Sequence, residues 1–245
     1  MDRAIYTALS AANAALNRQA VTSNNMANSA TAGFRAQLAA FRAVPVEGQT
    51  LKTRALVAES TPYNDDTMGP ITHTGRSLDV ALPQNGWLAV ALPDGSEGYT
   101  RNGGIEIDRD GALQVGGKPL MGDGAPLVVP PHSQITIAED GTVSALGAGD
   151  EPTAGVPVGR LKMVNAPMST LIHGDDGLFR PAAGNALPQD DAMRLSPESL
   201  EGSNVSPVKA MTEMIATARS FEMNMKVIRT ADENAQKANQ LLSVG

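Results

Sequence analysis

The sequence predicts an α+β protein in which an α-helix at each end of the chain brackets an all-β unit inserted between them. Three observations predict it. Apolar residues recur at three- and four-residue steps through roughly the first thirty and the last forty residues. Between about 75 and 180, short alternating runs are separated by Gly, Pro, Asp and Asn. The chain has 245 residues, 42% hydrophobic but only 3% aromatic and 18% charged, so its core must be built largely from small and aliphatic side chains. That length allows one large domain or two modest ones.

The N-terminal helix is expected from about Asp2 to about Asn28. Ile5, Leu9, Ala12, Leu16 and Met26 form a narrow apolar stripe on an otherwise polar surface. Asn28, Ser29 and Thr31 are poor interior helix residues, and Gly33 is a natural stop. At the other end, Glu201-Gly202-Ser203-Asn204 supplies helix-start chemistry and Pro207 suits a first turn. Met211, Met214, Ala218, Phe221, Met225, Ile228, Asp232, Ala235, Asn239 and Leu242 then keep a heptad seam, with Asp232 and Asn239 as polar members. Such a helix would be roughly 55–60 Å long.

The middle of the chain reads as strands near 77–82, 86–92, 104–107, 112–115, 127–129, 134–137, 142–145 and 158–164. Turn signals punctuate them at Asn85-Gly86, Pro93-Asp94-Gly95, Asp110-Gly111 and Asp140-Gly141. This spacing argues a sandwich-like or barrel-like unit. The expected organisation is a helical, coiled-coil-like domain from 1–33 and 204–245, extended connectors at 34–74 and 181–203, and a central β domain at 75–180. A pair of helices leaves half of each seam open, and apolar exposure on that scale marks an assembly surface. The competing reading folds both helices back onto the β domain.

Composition excludes several functions. A net charge of −7 without a Lys/Arg cluster argues against nucleic acid. The absence of cysteine removes disulfides, thiolate metal sites and thiol catalysis. Tyr6, Thr7, Ser10 and Asn13 break the N-terminal apolar run that a secretory signal would need, and no transmembrane segment is predicted. His73, His132 and His173 lack the i, i+4 partner of a helical zinc site. Asp108-Arg109-Asp110-Gly111 opens like a calcium loop, but its twelfth position is Pro119, so a hairpin turn fits better. Gly95-Ser96-Glu97-Gly98 has Asp94 where a nucleophile elbow needs Gly. No catalytic set, cofactor or metal site, or small-molecule substrate is expected.

Three stretches resemble the flagellar rod and hook protein family. The first is Ser23-Asn24-Asn25-Met26-Ala27-Asn28-Ser29-Ala30-Thr31-Ala32-Gly33-Phe34-Arg35, with Ala32 where the family usually has Pro. Gly33 still supplies the unusual backbone angle there. The second joins Gly75-Arg76-Ser77-Leu78-Asp79-Val80, Asn85-Gly86-Trp87-Leu88-Ala89-Val90 and Gly98-Tyr99-Thr100-Arg101-Asn102-Gly103. The third runs from Leu200-Glu201-Gly202-Ser203-Asn204-Val205 through Arg219-Ser220-Phe221 to the chain end. The C-terminal wording, together with Arg42-Ala43-Val44-Pro45-Val46-Glu47-Gly48, is most similar to proximal-rod members; a distal-rod or hook protein is the alternative.

The resemblance implies a structural subunit of the proximal rod that is not an enzyme. Its implied partners are other rod proteins and copies of itself, in a periplasm-spanning axle reached by flagellar export without a cleaved signal. The residues expected at assembly interfaces are Ile5, Leu9, Leu16, Asn24, Asn25, Asn28, Phe34, Met211, Met214, Phe221, Met225, Ile228 and Leu242. Asn24, Asn25 and Asn28 serve either cross-subunit hydrogen bonds or capping of the first helix. Phe34-Arg35 is either an anchor to a neighbour or local packing beside a solvated Arg. A carbohydrate-binding β module with helical tails is the rival from another class; of the aromatic platforms it needs, only Trp87 and Tyr99 are present in the β region.

Overall fold

A computed structural model of the chain describes residues 2–45, 55–131, 133–147, 155–174 and 176–243. His132 and Val46-Glu47-Gly48, both considered above, lie outside the described residues, as does the side chain of Leu242. The chain divides into two compact units. One comprises Met1–Ser29, Ala36–Asp65 and Val205–Gly245; the other comprises Ala30–Arg35 and Asp66–Asn204.

The first unit holds the two helices, α1 (Asp2–Ala27) and α2 (Pro207–Ser243), close to their expected bounds. Pro207 stands at the first helical position as predicted, but Ser206 caps the helix: its carbonyl accepts the Ala210 N–H at 2.9 Å. At the far end of α1, Asn28 donates from its backbone N–H and its Nδ2 to the Asn24 carbonyl, at 3.1 and 3.0 Å. Residues 34–74 correct the expectation of a plain connector. They carry an antiparallel hairpin, β1 (Gln37–Pro45) with β2 (Ala55–Asn64), paired from Gln37 opposite Asn64 to Pro45 opposite Ala55 with a register shift between Leu38 and Ala40.

α1 packs against α2 and against both hairpin strands. Asn25 grips the start of β1 twice, donating from Nδ2 to the Gln37 carbonyl and accepting the Gln37 N–H, each at 2.8 Å. Ser10 does the same for Val57 on β2, at 2.9 and 3.0 Å. The Arg18 guanidinium lies 5.2 Å from the Phe41 ring centroid. The hairpin escapes the sequence reading because β1 has no buried side chain and lacks the clean alternation that one buried face imposes.

The second unit is a set of short antiparallel strands: β3 (Ile71–His73), β4 (Val80–Ala81), β5 (Gly86–Ala91), β6 (Glu97–Thr100), β7 (Glu106–Ile107), β8 (Leu113–Val115), β9 (Lys118–Pro119), β10 (Gln134–Ile137), β11 (Thr142–Leu146), β12 (Val156–Arg160), β13 (Met163–Asn165), β14 (Leu171–His173), β15 (Phe179–Pro181), β16 (Ser196–Pro197) and β17 (Ser199–Glu201). The largest sheet runs β13-β5-β6-β15-β14, and three-stranded sheets form from β7-β8-β9 and β10-β11-β12. The run expected at 158–164 divides between β12 and β13, and 127–129 forms one isolated bridge, Val128 with Ala112.

Residues 181–203 are likewise more than a connector. β16 pairs with β4, β17 pairs with β3, and Met193 and Leu195 enter the core.

β5 explains the chain's most apolar stretch. Leu88 and Val90 face a cluster with Val80, Ile105, Leu113 and Leu161, while Trp87 and Ala89 face a second one with Tyr99, Val164 and Phe179. A strand buried on both faces loses its polar alternation. Trp87 keeps its indole satisfied by donating to the Ala166 carbonyl at 2.9 Å.

Candidate assembly surface

The helical unit is packed with its small side chains inward. Among its described residues the buried ones are Ala8, Ala12, Ala15, Thr22, Ala210 and Thr217. Several large apolar residues of the two helices stand outward, among them Tyr6, Leu9, Leu16, Met211, Ile215, Met223 and Val227, while Ile5, Met214, Phe221, Met225 and Ile228 are half-buried. Leu241, near the end of α2, is 80% exposed. The exposed side chains on one helix face recur at i, i+3 and i+4, because one turn is 3.6 residues. The buried line on α1 runs through Ala8, Ala12, Ala15 and Thr22, so it shares Ala12 with the expected stripe but leaves Leu9 and Leu16 outside.

Length contributes as well. At 1.5 Å per residue, the 37-residue α2 spans about 55 Å and the 26-residue α1 about 39 Å, so about 16 Å of α2 has no stretch of α1 beside it. Beyond Thr217, no described residue of α2 is buried. A groove on this unit is lined by Tyr6, Leu9, Asn13, Phe41, Leu56 and Val57, among others, and a shallow hollow on α2 by Met223, Val227, Thr230 and Asn234.

The thirteen expected interface residues fall into several environments. Leu9, Leu16 and Met211 are exposed; Ile5, Met214, Phe221, Met225 and Ile228 are half-buried. Asn24 is exposed, and Asn28 spends its side chain on the helix end. Asn25 spends both its donor and its acceptor on the hairpin. Phe34 is half-buried in the β unit. Arg35 beside it is 2% exposed, which corrects the expectation of a solvated Arg.

The destination of Arg35 went unseen in the sequence, as did Arg101 and Glu201. Glu201 is buried and sits between two arginines: its Oε1 lies 2.9 Å from Arg35 Nη2, and its Oε2 lies 2.5 Å from Arg101 Nη2 and 3.0 Å from Arg101 Nε. Arg101 spends its remaining donors on the carbonyls of Leu82, Pro83, Gln84 and Gly86, and stacks 5.6 Å from the Trp87 ring centroid. Arg35 also donates to the Asp66 carbonyl at 3.3 Å. A buried charge is tolerable when it is paired, as the Glu201 carboxylate is with both guanidiniums. Gly33 has to be glycine beside this cluster: its φ is +67°, and a Cβ there would collide with the Arg101 backbone.

A second polar cluster supports the largest sheet. Tyr99 donates to Glu97 Oε2 at 2.8 Å and accepts the Leu187 N–H at 2.8 Å, while Lys162 Nζ lies 2.6 Å from Glu97 Oε1. Burial pushes the Tyr99 phenol up to about 12, and the Glu97 carboxylate adds to the rise. At Asp108, Oδ1 accepts the N–H groups of Asp110 and Ala112, which is the turn between β7 and β8 read from the sequence.

Three sequence-family models match the chain in order. "Flagella basal body rod protein" covers residues 5–35, "Flagellar hook protein FlgE/F/G D1 domain" covers 81–145, and "Flagellar basal body rod FlgEFG protein C-terminal" covers 196–241. Arg35, Arg101 and Glu201 fall one in each, so the buried cluster is where the three matched regions meet. Together these matches define the class, a rod or hook protein of the flagellum. Relatives named flagellar basal-body rod protein FlgF are 56% identical in Salmonella typhimurium and in Escherichia coli, each over all of both chains. One from Buchnera aphidicola subsp. Schizaphis graminum is 34% identical over all of this chain and 99% of its own. The chain belongs to the FlgF family of flagellar basal-body rod proteins. Among the described residues no helix is long and apolar enough to cross a membrane.

Proposed function

We propose that this protein is a non-enzymatic structural subunit of the proximal rod, which joins inner-rod to distal-rod proteins and carries torque between them. Its partners are neighbouring rod proteins and copies of itself, in the periplasm-spanning basal body. It arrives there through the flagellar export route, without a cleaved signal. The segments 1–33 and 204–245 supply a helical domain that completes a coiled-coil-like seam only with its neighbours. The interface draws on Ile5, Leu9, Leu16, Met211, Met214, Phe221, Met225, Ile228 and Leu242, with Asn24, Asn25, Asn28 and Phe34 at its edge.

The observation that carries this reading is the inverted packing of the helical unit, with alanines and threonines inside and Leu9, Leu16, Met211, Met223 and Val227 outside. Burying one such side chain against a neighbour is worth about 1.5–3 kcal/mol, so a few of them account for a stable lateral contact. The test is complementation of a strain lacking the gene. Leu16→Glu and Met223→Glu chains should be produced and folded, with the same β-unit stability as the parent, yet restore neither rod nor motility. Normal flagella built from the doubly substituted chain would defeat the proposal.

A further inference from the structure

Every passage of the chain into or out of the β unit converges on Glu201. The chain enters at Ala30–Arg35, re-enters after Asp65 and leaves after Asn204. The first passage is tied by the Arg35 ion pair and by the Gly33 N–H, which donates to the Glu201 carbonyl at 2.8 Å. The second is tied by the Gly69 N–H, which donates to Glu201 Oε1 at 3.1 Å, and by Gly202 N–H donating to the Pro70 carbonyl at 2.9 Å. Asn204 closes the third, through its N–H to the Phe34 carbonyl at 3.3 Å and its Nδ2 to the Thr67 carbonyl at 2.9 Å. Arg101 anchors the whole cluster from inside the unit.

We infer that Glu201 is the hub of a mechanical clasp, which bears tension applied between the terminal helices before that tension reaches the sheets. The reason is connectivity. A load entering through residue 30 and leaving through residue 204 has a long covalent path through the hairpin and the sheets. It also has a short non-covalent one, from 33–35 directly to 201–204. While the short path holds, the long one stays slack. Its central link, Arg35 to Glu201, is charged and buried, shielded from the water that would compete for it, and such a link is stronger than a neutral exposed one. The inference stands on the fold alone and does not depend on the proposed assembly.

The full-length chain has no cysteine, so pulling handles can be attached through Ala30→Cys and Ser206→Cys. Stretched in optical tweezers, the parent should show no lengthening before one high-force rupture that releases about 600 Å, the extended reach of the chain between the handles. Arg35→Gln leaves the Glu201–Arg101 pair intact and should lose most of that resistance. Pulled instead through Asp110→Cys and Gly184→Cys, parent and Arg35→Gln should rupture at the same force. Stepwise lengthening of the parent at low force would overturn the inference. So would an Arg35→Gln chain that ruptures like the parent, or one equally weakened in both directions, which would show a general loosening of the unit. Amide exchange gives an independent reading: Gly33 and Asn204 should be as protected as core strand amides, and rapid exchange at either would also overturn it.

Discussion

The two units use the same aliphatic vocabulary in opposite ways. In the β unit, Leu88, Leu113, Leu120 and Leu161 are fully buried. In the helical unit, Leu9, Leu16 and Leu241 stand outward while alanines fill the interior. A core lined by large side chains closes on itself and needs nothing further. An interior of alanines and threonines brings backbones close together but buries little area per residue, and it leaves large side chains such as Leu9 and Leu16 exposed. The contrast teaches that hydrophobic periodicity along a helix reveals its pitch without saying which of its apolar residues the fold buries.

The comparison can be broken in four places, beginning with the largest effect. Glu201→Ala strands two buried guanidiniums, and removing one partner of a buried ion cluster costs about 3–5 kcal/mol. Trp87 is the sole tryptophan and is buried in the β unit, so urea denaturation followed by its fluorescence reads this unit directly. An unshifted midpoint would mean that the cluster stabilises nothing.

Next comes a matched pair. Leu88→Ala should cost about 2–5 kcal/mol as a buried truncation, whereas Leu16→Ala, at a site 51% exposed, should stay within about 0.5 kcal/mol in the free subunit. Similar losses from both would erase the distinction between the units. Smaller again, Ala12→Leu overfills the helical interior at about 1–3 kcal/mol, measured as loss of helical ellipticity on heating. A neutral result would show that the alanines are not closely packed.

The last effect is confined to alkaline pH. The folded Tyr99 phenol titrates near 12 and the unfolded one near 10, so between these values the unfolded state has given up more protons. Its contribution to stability is therefore complete below about 10 and is lost as pH rises through about 12. Phenolate absorbance titrated in the parent and in Tyr99→Phe should differ by a step near pH 12. A step near 10 would mean that the phenol is not held in its buried hydrogen bonds.

How far the fold was legible follows from the range of the signals. Helix periodicity repeats within every turn, so α1 and α2 were found almost to the residue, and the turn at Asp108-Arg109-Asp110-Gly111 was readable from its own side chains. The pairing of β1 with β2 failed that test because a half-buried strand such as Gln37–Pro45 shows no one-sided pattern. Glu201 and Arg101 are 100 positions apart, and nothing local distinguishes a carboxylate bound for burial from a solvated one. An acidic residue set between Leu200 and Gly202 in an otherwise uncharged run was the one faint sign.

By itself the sequence determined the order of elements, the helix at each end, the β character between them and the family to which the chain belongs, because periodicity and motif spacing are written in neighbouring residues. Only the tertiary structure decided that alanines and not leucines are buried in the helices, that Gln37–Pro45 and Ala55–Asn64 pair against α1, and that Arg35, Arg101 and Glu201 share one buried cluster. Those outcomes depend on which distant surfaces compete for the same space, and a linear pattern carries no record of that competition.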